Sequence, residues 1–343
     1  MAYKVRSSEK LRKYGSDAET KALLYLMNFY EDSQEIYYFV VDFFNDLTGM
    51  NKTGRKLWDL QSKGAKKSSP KEIGRELVTL FKNYLSEINF EAYILFLGGV
   101  TSSFRVDDSK NVFGIDNVKK DAIDNLKEGL IDECVIKKYI EFDKITDSLL
   151  LEFFSHVTFV IDDKTPSECV KGIIKMHPSI VPEGNILEAI FNEIRDKQSA
   201  KKNANDVEGI TIETTEEALN YCRHLTNNEI RLLTLSRILN RDILGAGIPL
   251  PFMQIFNQFP PELCKDKLNE CQQACCRALF NNTCADGFWV FFDKVYRLIM
   301  NYPEANVSEI YNEIDDEILK GCPDLEVLSF KYFIAIVKEG IQK

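Results

Sequence analysis

The sequence predicts a mixed α/β core in its N-terminal part, in the order helix, strand, strand, helix, strand, followed by a mainly α-helical C-terminal region. Three observations carry this. Ile36 to Phe44 is rich in β-branched and aromatic residues, Lys56 to Gln61 is a second short apolar run, and Thr48-Gly49-Met50-Asn51-Lys52-Thr53-Gly54 between them supplies turn chemistry, so the stretch reads as a β-hairpin. Glu91 to Leu97 is an apolar strand that follows a segment with helical spacing. Beyond about residue 210, apolar residues recur at helical spacing almost to the C-terminus.

The first helix is expected over Ser16 to Tyr30, with Leu23, Leu24 and Met27 on the face that covers the sheet. Ser16-Asp17-Ala18-Glu19 has the form of a capping box, in which the Glu19 carboxylate reaches back to the cap residue's N–H. Along the second strand, alternation puts Asp59, Gln61 and Lys63 on one face and Trp58, Leu60 and Ser62 on the other. Ser69 caps the next helix and Pro70 occupies its first turn; Ile73, Leu77, Leu80, Phe81 and Tyr84 then recur with helical period as far as Leu85.

Further helices are expected near 117 to 129, 133 to 144, 146 to 155 and 185 to 197, with one more strand at Val157 to Ile161. The polar stretch from Gln198 to Gly209 marks a boundary, giving a domain over 1–205, whose core is about 14–112, and a helical domain over 206–343. In the latter the pattern gives helices at 214–224, 227–240, 261–280, 288–300, 307–320 and 325–341, with a turn at Gly245 to Pro251. Residues 1 to 13 show no periodicity and read as a flexible arm.

At 343 residues and 45% hydrophobic composition the chain suits two globular domains. Nine cysteines without an apolar leader in MAYKVRSSEKLRKY, and no apolar run of about 20 residues, predict a cytoplasmic protein with reduced thiols and no membrane span. Cys264, Cys271, Cys275, Cys276 and Cys284 have the spacing of a helix face and contain no CxxC pair, so packing explains them better than zinc. His156, His177 and His224 are isolated in sequence, which disfavours histidine-metal nucleases and hydrolytic triads.

A net charge of −10 argues globally against a nucleic-acid partner, but its distribution does not. Between Lys52 and Lys82 nine basic residues face three acidic ones, a local +6 that includes Lys52, Arg55, Lys66, Lys67, Lys71 and Arg75 as candidate DNA contacts. An ordinary solvated surface is the alternative reading of this run.

The basic segment surrounds Asp46, Gln61 and Lys63. A carboxylate at one strand end, then an amide and a lysine two apart on the next strand, suits phosphodiester hydrolysis. Asp46 offers a hard oxygen to Mg²⁺ (or Mn²⁺), the Gln61 amide oxygen adds to it, and Lys63 orients the attacking water. Asp42 and Asp59 are rival ligands by their positions on the two strands.

These elements, with Glu19 on the preceding helix, resemble the PD-(D/E)xK nuclease superfamily in its QxK variant. Within them FNDLTG, LWDLQSKG, SPKEIGRELVTLFKNYL and YILFLGGV resemble the double-stranded DNA endonuclease domain of bacterial anti-phage effectors, of the kinds associated with cyclic-nucleotide signalling and with Lamassu systems. The likeness covers about the first hundred residues well and extends more loosely to about residue 200. It implies a restriction-endonuclease-like α-β-β-α-β core and a Mg²⁺-dependent endonuclease with Lys63, Gln61, Asp46 and Glu19 in the site. It also implies activation by oligomerisation or by release from a sensor complex, with double-stranded DNA, a homo-oligomer or other defence-system subunits as partners. Gln61 departs from the usual carboxylate and removes one negative charge from the metal's surroundings. The alternative function is a non-catalytic interaction subunit that keeps a degenerate nuclease fold as scaffold.

Overall fold

The stretch expected to make a two-stranded hairpin makes three strands. After β1 (Tyr3–Lys4) and helix α1 (Lys13–Asn28), β2 (Tyr38–Val41) turns at residues 42–46 into β3 (Leu47–Met50), which turns again into β4 (Leu57–Lys63). The supposed turn Thr48 to Met50 is therefore strand. Gly49 permits this, because a Cβ there would stand 3.2 Å from the Ile36 side chain. The real turns are shorter, and Asn51 Oδ1 organises the second by accepting from the N–H groups of Arg55 (2.9 Å) and Lys56 (3.2 Å).

The computed structural model describes residues 3–5, 13–137, 140, 145–174, 181–202, 204–243, 245, 247–281 and 285–341. Most of the arm at residues 1 to 13, part of the helix expected over 133–144 and of the turn at Gly245 to Pro251, and His177 and Cys284 lie outside the described residues. Tyr3 to Val5 are not a loose arm: β1 pairs with β8 (Thr211–Ile212) in a separate two-stranded sheet.

Past β4 come α2 (Pro70–Glu76), α3 (Val78–Tyr84), β5 (Ala92–Leu97), β6 (Val112–Phe113), α4 (Lys120–Lys137), α5 (Asp147–His156), β7 (Val157–Ile161), α6 (Pro166–Lys171) and α7 (Gly184–Lys202). After β8 the chain adds β9 (His224–Thr226). The main sheet is seven-stranded and mixed, in the order β6-β7-β5-β4-β3-β2-β9. β4, β5 and β7 run parallel, and β3, β2 and β9 continue antiparallel from β4. Between Lys13 and Leu97 the order is thus helix, three strands, a helix pair and a strand, one strand more than expected.

Alternation decides what each face buries. Tyr93, Leu95 and Leu97 of β5 join Phe159 of β7 in a core with α2 to α5, where Gly74 and Gly129 let two helix backbones approach so closely that a Cβ at Gly74 would sit 2.1 Å from the Leu126 carbonyl. The other face holds Phe96, whose ring lies 5.9 Å from that of Tyr25 on α1. Ser69 caps α2 in a full capping box with Glu72. Helix α1 begins at Lys13, so Ser16 lies within it rather than at its cap.

The chain divides into two compact units, Met1–Cys169 with Phe191–Asn227, and Val170–Ile190 with Asn228–Lys343. Residues 206–227, expected with the helical domain, supply β8 and β9 to the first unit. The second unit includes α8 (Asn227–Ile238), α9 (Met253–Phe256), α10 (Pro261–Phe280), α11 (Ala285–Asn301), α12 (Val307–Asn312), α13 (Asp316–Lys320) and α14 (Val327–Ile341). Phe288, Phe291 and Phe292 of α11 pack their rings on Phe330 and Phe333 of the buried α14. Cys271 and Cys275 are buried in α10, and burial pushes the Cys271 thiol up to about 11, as expected of cysteines that pack as small hydrophobes. No helix among the described residues is long and apolar enough to cross a membrane.

Candidate active site

Asp46 stands where the bend between β2 and β3 ends, and three donors converge on its Oδ2: the Gln61 amide Nε2 (2.9 Å), the Ser62 backbone N–H (3.1 Å) and the Ser62 hydroxyl (3.2 Å). The carboxylate requires a donor, which fixes the Gln61 amide with its nitrogen toward Asp46 and leaves Oε1 as the atom able to serve a cation. Asp46 Oδ1 accepts no hydrogen bond among the described residues. In β4, Gln61 and Lys63 lie alongside Leu95 and Leu97 of β5, on the face covered by α2 to α5. Lys63 Nζ reaches Glu76 of α2 at 3.0 Å.

Asp42, the first residue of the bend, has φ of +50°, a left-handed conformation uncommon outside glycine and best tolerated by Asn and Asp. Arg223 holds it there: its Nη1 donates to the Asp42 carbonyl at 2.7 Å and approaches Oδ2 at 3.4 Å, while Nε donates to Asn205 O at 2.9 Å. Lys202, the last residue of α7, places Nζ 3.8 Å from Glu19 Oε1 and 3.9 Å from Asp42 Oδ2. Nothing in the local sequence announces Lys202 or Arg223. The first lies in the stretch read as a linker, the second in a segment read as helix.

Glu19 belongs to this cluster rather than to a cap. It is 9% exposed; burial pushes its carboxyl up to about 7, and the Asp46 charge adds to that push while Lys202 opposes it. Asp42 rises to about 6 through burial, against the pull of Lys202 and Arg223. Two carboxylates and an amide oxygen are hard donors of the kind Mg²⁺ accepts while retaining several waters, so by donor chemistry Glu19, Asp46 and Gln61 are the residues that could hold such an ion. Among the described residues no group of three or more His, Cys, Asp or Glu side chains is arranged to hold a metal.

Asp59 shares the β4 face of Gln61 and is held by α3. It is fully buried and accepts from Asn83 Nδ2 of α3 at 2.7 Å; Asn83 Oδ1 in turn accepts from the Tyr3 hydroxyl at 2.9 Å, and Lys82 Nζ donates to that hydroxyl at 2.7 Å.

The basic residues divide in two. Arg55 meets Glu216 (3.2 Å), Lys71 meets Asp132 (3.0 Å) and Glu128, and Arg75 lies 3.7 Å from Asp132, so carboxylates from elsewhere in the chain offset much of the local +6. Lys52 is exposed, with its ammonium 5.3 Å from the Tyr37 ring centroid. Lys66 and Lys67 are exposed on the loop that leaves Lys63. Gly98 and Gly99 make that loop possible: a Cβ at Gly99 would lie 2.2 Å from the Lys66 carbonyl, and one at Gly98 2.7 Å from that of Gly64. No family model, curated protein or solved structure matches the chain.

Proposed function

We propose that the chain is a metal-dependent double-stranded DNA endonuclease with a restriction-endonuclease-like core, in which Asp46, Gln61 and Glu19 hold a Mg²⁺ or Mn²⁺ ion and Lys63 positions the attacking water. The observation that carries this reading is the 2.9 Å contact between Asp46 and Gln61, fifteen residues apart, with Lys63 on the same strand face. When bound, the ion would supply Lewis acidity toward the phosphate and a more acidic water. Asp46 contributes Oδ1 and Gln61 its Oε1. Glu19 adds a second carboxylate, buried and within reach of the Asp46 charge. Lys63 is aimed by Glu76, and Lys66 and Lys67 extend one loop beyond it, where a DNA backbone following the site would meet them. The likeness to anti-phage effectors extends the proposal to a defence role, with the second unit serving assembly or partner docking.

A second reading has its own support. Lys202 and Arg223 already compensate Asp42 and Glu19, as a non-catalytic scaffold would require. Cleavage of supercoiled plasmid with Mg²⁺ or Mn²⁺, run beside Lys63→Ala, separates the two. Divalent-dependent nicking that the variant loses supports the nuclease. A parent protein that leaves plasmid intact on any divalent ion supports the scaffold.

A further inference from the structure

Lys202 is 8% exposed, a degree of burial that lysine seldom reaches without a partner. Its two carboxylate neighbours, at 3.8 Å and 3.9 Å, are beyond hydrogen-bonding distance, so charge rather than directed bonds keeps the ammonium in the cluster. The helix that delivers it meets α1 through polar contacts on one face. Arg195 Nη1 binds Asp17 Oδ1 at 2.9 Å, and Gln198 Oε1 accepts from the Thr20 hydroxyl at 2.8 Å. Residues 195, 198 and 202 fall on that face by helical period. The seam is incompletely satisfied, since the buried Gln198 Nε2 has no hydrogen-bond partner among the described residues. Residues 184–190, the first of α7, belong to the second compact unit, whereas Lys202 belongs to the first.

We propose that Lys202 is a resident counter-cation of the candidate site, a plug that neutralises Glu19 and Asp42 and holds off a divalent ion until the C-terminal end of α7 is drawn back. This rests on the metal-dependent reading of the site. An ion on Glu19 and Asp46 shares the Glu19 carboxylate with the ammonium, and two cations in a half-buried site repel each other strongly.

The test is Mn²⁺ binding to the full chain, read by electron paramagnetic resonance without DNA. Lys202→Gln should bind Mn²⁺ at least tenfold more tightly than the parent, and Lys202→Arg should match the parent. Thr20→Val, which alters no charge and loosens α7 from α1, should tighten binding a few-fold; it decides the matter if Lys202→Gln does not fold. Equal, measurable binding by the parent, Lys202→Gln and Thr20→Val would overturn the plug while leaving the metal site standing. Absence of Mn²⁺ binding in all of them would overturn the metal site and the plug with it.

Discussion

Glu19 and Asp59 are both buried carboxyls, both raised to about 7, and for both the main cause is burial, yet their surroundings differ. Glu19 has the Asp46 and Asp42 charges near it and the Lys202 ammonium at 3.8 Å. Asp59 sits in a polar network with Asn83 and Tyr3 beneath α3, where the Asn83 bond and the Lys82 charge oppose the effect of burial. A raised pKa by itself therefore does not mark the working site. What distinguishes Glu19 is its ion pairing: the Lys202 ammonium lies 3.8 Å from it and 3.9 Å from Asp42, so one cation serves two carboxylates.

That contrast is sharpest in cleavage. We predict that Asp46→Ala and Lys63→Ala each lower plasmid cleavage on the order of a thousandfold, with melting temperatures near the parent's, whereas Asp59→Asn cleaves like the parent. Loss of cleavage in Asp59→Asn with a normal fold would erase the distinction.

Stability should respond in the opposite sense. Asn83→Ala removes the donor to Asp59 and the acceptor for Tyr3, and we expect it to cost roughly 2–4 kcal/mol in urea unfolding. A cost below about 0.5 kcal/mol, the range of ordinary surface changes, would show the network to be incidental.

Asp59→Asn should stabilise, by about 1–3 kcal/mol at pH 8. The sign follows from the raised pKa. Between about pH 4 and pH 7 the folded state binds the Asp59 proton more tightly than the unfolded chain does, so stability falls as pH rises, and above pH 7 the full penalty of burying the charge remains. The gain should therefore shrink toward pH 4. A gain that is the same at pH 4 and pH 8 would show that Asp59 is not the titrating group.

The smallest effect belongs to the exposed loop. Lys66→Glu combined with Lys67→Glu should weaken duplex binding about tenfold whatever the sequence, and lower the salt slope by roughly two. Lys71 and Arg75, already paired with Asp132, should matter less. An unchanged salt slope would remove the loop from the DNA path.

The parts of this arrangement legible in the sequence are those set by local periodicity. Alternation put Gln61 and Lys63 on one face of β4, and it located β5 and β7 because their residues are continuously apolar. It could not reveal β3, whose Thr48-Gly49-Met50 has the composition of a turn and becomes strand only because Ile36 fills the space beside Gly49. The Ser16 capping pattern was outweighed by a helix that starts a turn earlier, which released Glu19 for the cluster. Lys202 and Arg223 were illegible for a different reason: more than 150 residues lie between them and Asp42, and no local signal encodes a meeting at that separation.

That separation also sets a timetable during synthesis. Asp46 leaves the ribosome 177 residues ahead of Arg223, which at about 5–20 residues per second is roughly 9–35 s. For most of that interval the nascent chain carries Glu19, Asp42 and Asp46 without Lys202, and for all of it without Arg223 and without β9 along the edge of β2. Three carboxylates and a bare strand edge favour continued hydration of the bend over burial, so α1 has reason to dock late. The last residues to emerge from the first unit are thus the ones that close it.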